Sequence, residues 1–194
     1  MRDGFIRTAA ATPKIKVADP VHNREAICRI IEEYEKKGAE LLVFPELCLS
    51  GYTCNDLFQQ EILLEQVKEE LKNLVDFTKG RKMLLFAGLP WEHEGKLYNV
   101  AAAICDGELL GLVTKTNMPN YSEFYELRHF TPGMEIPVLT DWLDTQVPMG
   151  TNLLFTCKEN PKLTVAAEIC EDVWVPCPPS IRHALAGATV IVNC

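Results

Sequence analysis

The sequence predicts an α/β fold with a mixed sheet, built as one domain over residues 1–194. Two segments, residues 24–37 and 61–79, carry apolar residues at helical spacing, and a glycine follows each of them. Short apolar runs follow these segments, and Glu94-Gly95 and Asp106-Gly107 separate the three central runs. Because hairpins and helical crossovers occur together, we expect parallel and antiparallel strands in the same sheet.

The remaining elements follow from local pattern. Asn23 is the predicted N-cap of the first helix, because its side chain can accept a hydrogen bond from a free N–H group of the first turn. A third, short helix is predicted at 180–186, after a proline-rich turn. Residues 116–150 contain four prolines and little periodicity, so we expect a long ordered loop. Strands are predicted at residues 5–11, 41–44, 83–88, 98–105, 108–114, 164–169 and 189–192. The last strand has no element after it, which indicates truncation at the C-terminus.

Composition narrows the classes of partner. The chain has 194 residues with 19 Lys+Arg against 27 Asp+Glu, a formal net charge of −8. This acidic balance argues against nucleic acid or an anionic membrane as a partner, since both attract basic surfaces. No apolar stretch approaches the roughly 18 residues that span a bilayer, and charges interrupt the first seven residues. We therefore expect a soluble protein of the cytoplasm.

The 8 cysteines show no Cys-x-x-Cys pair and no zinc-type spacing to histidine. Free thiols in apolar segments behave as small hydrophobic residues. We therefore expect unpaired cysteines and no bound metal.

Three reactive side chains each follow directly after an apolar strand: Glu46, Lys115 and Cys170. Strand ends are favoured places for active sites in α/β sheets. A carboxylate can take the proton of a thiol, and an ammonium can stabilise the oxyanion formed when the thiolate attacks a carbonyl. Taken singly, the acid and the amine are also typical of surface positions, and the thiol of a packed core.

The segments around these residues resemble the nitrilase superfamily. Residues 44–52, 114–115 and 168–172 match the segments of its Glu-Lys-Cys triad in order and spacing. The flanking residues 52–58, 119–126 and 172–176 resemble the N-terminal glutaminase domain of the glutamine-dependent NAD synthetase family.

The resemblance implies a four-layer α-β-β-α sandwich that hydrolyses the side-chain amide of L-glutamine. Cys170 would be the nucleophile, Glu46 the general base and Lys115 the group that stabilises the tetrahedral intermediate, with the backbone N–H of Glu171 completing the oxyanion hole. The ammonia would pass to a synthetase domain that makes NAD from its deamido precursor. By the same resemblance, the expected substrate-binding residues are Tyr52, Tyr121, Glu126, Glu171 and Trp174.

The sequence departs from the NAD synthetase family in two respects: it contains no phosphate loop of the synthetase half, and the family residues that hold the α-amino and α-carboxylate groups of the substrate would lie beyond Cys194. By the first departure we expect no cofactor in this chain, with ATP and Mg used only by the absent synthetase domain, and we expect homo-oligomers as for other nitrilase-like domains. By the second departure we expect an incomplete glutamine pocket and weak or no activity of the isolated chain. Two alternatives stay open. The chain could be a stand-alone amidase acting on another small amide or nitrile, or a truncated scaffold without activity.

Overall fold

The fold is known from a computed structural model that describes residues 4–194. Residues 1–3, part of the charged segment from which the absence of a leader was predicted, lie outside the described residues. Within residues 4–194 the longer helices are α1 (Pro20–Lys36) and α2 (Glu61–Phe77), and the shorter ones are α3 (Glu126–His129) and α4 (Pro179–Leu185). Two 3-10 helices span Tyr52–Gln59 and Cys170–Trp174.

The strands of this described part form two sheets. They are β1 (Thr8–Ala10), β2 (Leu41–Val43), β3 (Leu84–His93), β4 (Lys96–Cys105), β5 (Glu108–Thr114), β6 (Val138–Trp142), β7 (Thr145–Gly150), β8 (Phe155–Thr156), β9 (Thr164–Glu168) and β10 (Val190–Asn193). The large sheet has the order β1-β2-β3-β4-β5-β7-β6, and the small one the order β10-β9-β8. Each sheet contains both parallel and antiparallel pairs, which confirms the predicted mixed topology.

The helices and sheets pack in four layers. Apolar residues of α1 and α2, such as Ile27 and Leu71, pack on one face of the large sheet. The opposite face, which includes Phe86, packs against Ala167 and Val192 of the small sheet. Helix α4 lies against β9 and β10 and forms the outer layer on that side. The predicted α-β-β-α sandwich is confirmed.

The two predicted hairpin turns are present. Glu94 and Gly95 join β3 to β4 with φ of 49° and 70°, and Asp106 and Gly107 join β4 to β5 with φ of 50° and 79°. Two consecutive left-handed residues make the turn whose twist matches antiparallel strands, and glycine favours its second position. Both hairpin turns therefore lie where the sequence predicted them.

The predicted start of α1 is wrong by one turn. Asp19 is the N-cap, and its side chain accepts a hydrogen bond from the His22 amide at 3.0 Å, while Pro20 opens the helix. Asn23 lies buried inside the helix and instead bonds the backbone of Lys16 and Leu49. Its side-chain amide therefore bonds the backbone of two loops that pass the helix, and does not cap the helix end.

The expected long loop over 116–150 is also wrong, because it contains α3, the edge strand β6 and its neighbour β7. Proline within β7 obscured the strand pattern. Pro148 lies opposite Leu139 of β6, and β7 pairs with β5 only through Met149 and Gly150, so the missing N–H leaves the pairing with β5 intact. In the described residues, no helix is long and apolar enough to cross a bilayer.

Candidate active site

Glu46 is positioned by an unusually close approach of two backbone segments. The segment that follows β2 passes over Gly88 of β3. A Cβ at Gly88 would lie 2.3 Å from the Leu47 nitrogen and 2.6 Å from the Pro45 oxygen. Because only glycine leaves room for this crossing, β3 fixes where the Glu46 carboxylate stands above the sheet edge.

Lys115 follows β5 and ends at the same place. Its side chain is 0% exposed, and its Nζ lies 2.6 Å from Glu46 Oε1. On the other side the same ammonium bonds both oxygens of Glu126, at 2.8 and 2.7 Å. Tyr52 donates a hydrogen bond to Glu126 Oε1 at 2.8 Å. One buried cation is thus held between two carboxylates.

Asn99 completes the support of Glu46 from the neighbouring strand β4. Its Nδ2 donates to Glu46 Oε1 at 2.5 Å, the same oxygen that Lys115 contacts. Its backbone oxygen accepts the Lys115 amide at 2.9 Å. Residue reasoning missed Asn99, although a single buried amide inside the apolar run of β4 was a visible signal.

The charges of the two carboxylates decide the protonation state of Lys115. Burial alone would lower the pKa of Lys115, but Glu46 and Glu126 outweigh it and hold the pKa above its usual value. Burial, followed by repulsion from Glu46, raises the pKa of Glu126, and Lys115 opposes that rise. Lys115 therefore stays an ammonium, able to place a positive charge beside a reacting atom.

Cys170 starts the 3-10 helix after β9 and is half buried. Its φ of 45° is left-handed, a conformation that costs a non-glycine residue about 1–3 kcal/mol and persists only where surrounding contacts impose it. Burial, and then the Glu46 charge, raise the pKa of the Cys170 thiol to about 11, against the lowering effect of Lys115. The resting thiol is neutral and lies beside its candidate base.

The predicted substrate-binding residues divide into an inner and an outer group. Tyr52 and Glu126 belong to the inner group, with Glu126 fully engaged by Lys115 and Tyr52. The outer group lies at the surface, where the Tyr121 hydroxyl bonds both carboxylate oxygens of Glu171 at 3.1 Å. Trp174 is 77% exposed at the end of the same 3-10 helix. Their roles toward a substrate stay a prediction.

The acids around Cys170 serve different purposes. Glu168 points to the other side of the small sheet and accepts the Ser180 amide at 3.1 Å, at the start of α4. Glu171 faces the surface beside Tyr121. Asp172 is buried and bonds the segment after Lys115. Only Glu171 therefore has the exposure that a substrate contact requires, and the role of Asp172 had no signal in the sequence beyond its position.

The arrangement can carry out acyl transfer. A neutral thiol, a carboxylate able to accept its proton and a fixed ammonium are present at one end of the sheets. Since Glu126 and Asn99 hold the amine and the carboxylate from behind, these groups need little rearrangement during reaction.

Comparison with known proteins identifies the family. The sequence profile described as carbon-nitrogen hydrolase matches residues 7–194. The chain is 40% identical to a glutamine-dependent NAD(+) synthetase of Mycobacterium bovis over 98% of its own length, and 35% identical to one of Aquifex aeolicus over 91%. It spans 28% of the length of each of these relatives. The resemblance stated from the motifs is confirmed.

Solved structures agree with the sequence matches. A glutamine-dependent NAD(+) synthetase from Cytophaga hutchinsonii superposes with a TM-score of 0.85 and 28% identity, covering 97% of this chain and 30% of that one. An amidase from Nesterenkonia sp. has the same fold, with a TM-score of 0.72 and 22% identity over 100% of this chain and 65% of the amidase. The chain belongs to the carbon-nitrogen hydrolase family.

Proposed function

We propose that this chain is the glutaminase part of a glutamine-dependent NAD synthetase, hydrolysing the side-chain amide of L-glutamine through a thioester on Cys170. The observation that carries the proposal is the ammonium of Lys115, buried between Glu46 and Glu126 beside the Cys170 thiol. The similarity to NAD synthetases over nearly the whole chain supports glutamine as the substrate.

In the first half of the reaction, Glu46 takes the proton of the Cys170 thiol. The thiolate then attacks the carboxamide carbon, and the carbonyl oxygen becomes an oxyanion. We assign its stabilisation to Lys115 Nζ and the Glu171 amide N–H. In the resting site the three N–H groups of the ammonium meet both oxygens of Glu126 and one oxygen of Glu46. We assign to the oxyanion the N–H that faces Glu46, which is released once Glu46 has taken the thiol proton.

In the second half the intermediate collapses and the C–N bond breaks. Protonated Glu46 gives its proton to the leaving nitrogen, which departs as ammonia. A water molecule then attacks the thioester carbon while Glu46 accepts a proton from it, and the C–S bond breaks to release glutamate and the free thiol. These steps use side chains and one backbone amide of this chain, together with water. ATP and Mg would serve the synthetase part alone, which would receive the ammonia.

The outer group supports recognition of a small polar substrate. The bonded pair Tyr121 and Glu171, together with Trp174, lies at the surface beside Cys170 and offers aromatic faces, a hydroxyl and a carboxylate. A carboxylate at this rim suits the α-ammonium of an amino acid. The homo-oligomer and the cytoplasmic location stay predictions.

The test measures ammonia released by the purified chain from L-glutamine and from small amides such as acetamide and butyramide. Cys170→Ala should abolish release, whereas the matched control Cys177→Ala should not, since Cys177 is an exposed thiol outside the triad. Release from glutamine by Cys170→Ala would overturn the proposed mechanism. Release from simple amides but not from glutamine would instead identify a stand-alone amidase.

A further inference from the structure

A buried aspartate that the proposed mechanism does not use lies two residues after the nucleophile. Asp172 is 0% exposed. Its Oδ2 accepts the Ile169 amide at 3.1 Å, and its Oδ1 accepts the Thr116 amide at 3.1 Å and the Asn117 amide at 2.8 Å. The Asn117 side-chain amide adds a fourth hydrogen bond at 2.9 Å.

The two segments joined by this carboxylate are the ones that carry the reacting groups. Thr116 and Asn117 directly follow Lys115 at the end of β5 in the large sheet. Ile169 directly precedes Cys170 at the end of β9 in the small sheet. One side chain therefore ties the strand end that bears the amine to the strand end that bears the thiol, across the boundary between two layers.

The backbone at Cys170 is strained, and the hydrogen bonds of Asp172 hold it in that conformation. Cys170 has the left-handed φ of 45°, which the chain would leave if nothing opposed it. The Asp172 amide donates to the Ile169 oxygen at 3.0 Å, and the Asp172 carboxylate accepts from the Ile169 amide, so both bonds close the turn around Cys170.

We propose that Asp172 is a positioning residue, which holds the strained turn of Cys170 in register with Lys115 so that the thiol stays beside Glu46 and the ammonium. The proposal rests on the nucleophilic role assigned to Cys170. It does not depend on glutamine being the substrate.

The carboxylate form fits the site because four N–H groups converge on it. A carboxylate is an acceptor at both oxygens, whereas an asparagine has one acceptor oxygen and one donor nitrogen. In Asp172→Asn the amide nitrogen would face an N–H on one of the two segments, so one side of the tie would open without any change of side-chain size.

The test compares Asp172→Asn with Asp144→Asn, a matched change at an exposed aspartate in the turn between β6 and β7. Glutamine hydrolysis gives kcat and KM. Alkylation by iodoacetamide from pH 6 to 11, read for each cysteine by mass spectrometry, gives the pH midpoint at Cys170, with the exposed Cys177 as internal standard.

For Asp172→Asn we expect kcat to fall about 100-fold with KM within about threefold, because a thiol displaced by about 1 Å loses its attack geometry. The alkylation midpoint of Cys170 should move down from about 11 by about one to two pH units. A freed thiol loses its burial and its proximity to the Glu46 and Glu126 carboxylates, all of which raise its pKa. These losses outweigh its separation from Lys115, which lowers the pKa. Asp144→Asn should change neither value.

A folded Asp172→Asn protein whose Cys170 midpoint and kcat equal those of the parent chain would overturn the proposal, leaving Asp172 a purely structural residue. If that variant does not fold, Asn117→Ala decides, since it removes one of the four bonds. A smaller shift of the Cys170 midpoint in the same direction supports the proposal, and no shift overturns it. Failure of the parent chain to hydrolyse glutamine would count against the proposed function alone, because the alkylation midpoint needs no substrate.

Discussion

Replacing the buried cation tests the electrostatics of the site most severely. In Lys115→Met, the Glu46 and Glu126 carboxylates lose the ammonium that lies 2.6 and 2.7 Å from them. Removing one partner of a buried ion pair costs about 3–5 kcal/mol, because the remaining charge is left uncompensated. We expect this loss in the free energy of unfolding at pH 7.5.

The loss should depend on pH, and its sign follows from proton uptake. Without Lys115, one of the facing carboxylates would have a folded-state pKa above the value of about 4.3 for an unfolded glutamate. A raised acid pKa means that the folded state binds more protons, so stability is present at low pH and is lost as the pH rises through the folded pKa. The penalty should therefore shrink toward pH 5, by up to about 1.4 kcal/mol for each pH unit.

Urea unfolding of the parent chain and the variant at pH 5.0 and pH 7.5 measures both quantities. Lys79→Met is the matched control, because Lys79 also pairs with a carboxylate, Asp76 at 2.8 Å, but is 70% exposed. We expect no measurable change for the control at either pH. A penalty below about 1 kcal/mol for Lys115→Met, or one equal at the two pH values, would refute the reasoning.

Two further predictions concern the base and the thiol. Gly88→Ala should destabilise the fold by about 1–3 kcal/mol and lower the rate of glutamine hydrolysis, because the new Cβ would meet the backbone of Pro45 and Leu47 and displace Glu46. Urea unfolding and ammonia release measure the two effects. An unchanged rate of hydrolysis would contradict the prediction. The pH profile of kcat/KM for glutamine should be bell-shaped, with an alkaline limb near pH 11 where the proton shared by the Cys170 thiol and its base is lost. A rate that does not fall between about pH 10 and pH 12 would contradict the pairing.

The sequence predicted the parts of the fold that depend on local chemistry. The two hairpins rest on Glu94-Gly95 and Asp106-Gly107, whose left-handed conformations the residues themselves favour. The helices end at glycines for the same reason. Strands β6 and β7 were not predictable this way, because Pro148 breaks the local pattern and only the pairing with β5 shows why it is tolerated.

The active site likewise contains residues that the local sequence pattern predicted and residues whose contacts depend on the folded chain. Glu46, Lys115 and Cys170 could be selected because each follows an apolar strand. The contacts of Asn99 and Asp172 depend on which strand ends meet in space, since their partners lie 53 and 55 residues away in the chain. Glu168 precedes Cys170 by two residues, so strand alternation alone would put both side chains on one face. Glu168 bonds the start of α4 instead of lying with the thiol, because β9 ends at Glu168 and the chain turns at the left-handed Cys170.

The most direct measurement of the central claim is to trap the acyl-enzyme. The chain is mixed with L-glutamine, quenched in acid and digested, and each cysteine-containing peptide is weighed. We predict a glutamyl adduct on Cys170 alone, lost in Glu46→Gln. Ammonia release with the adduct on another cysteine, or with no adduct on Cys170 under conditions that preserve thioesters, would contradict the account.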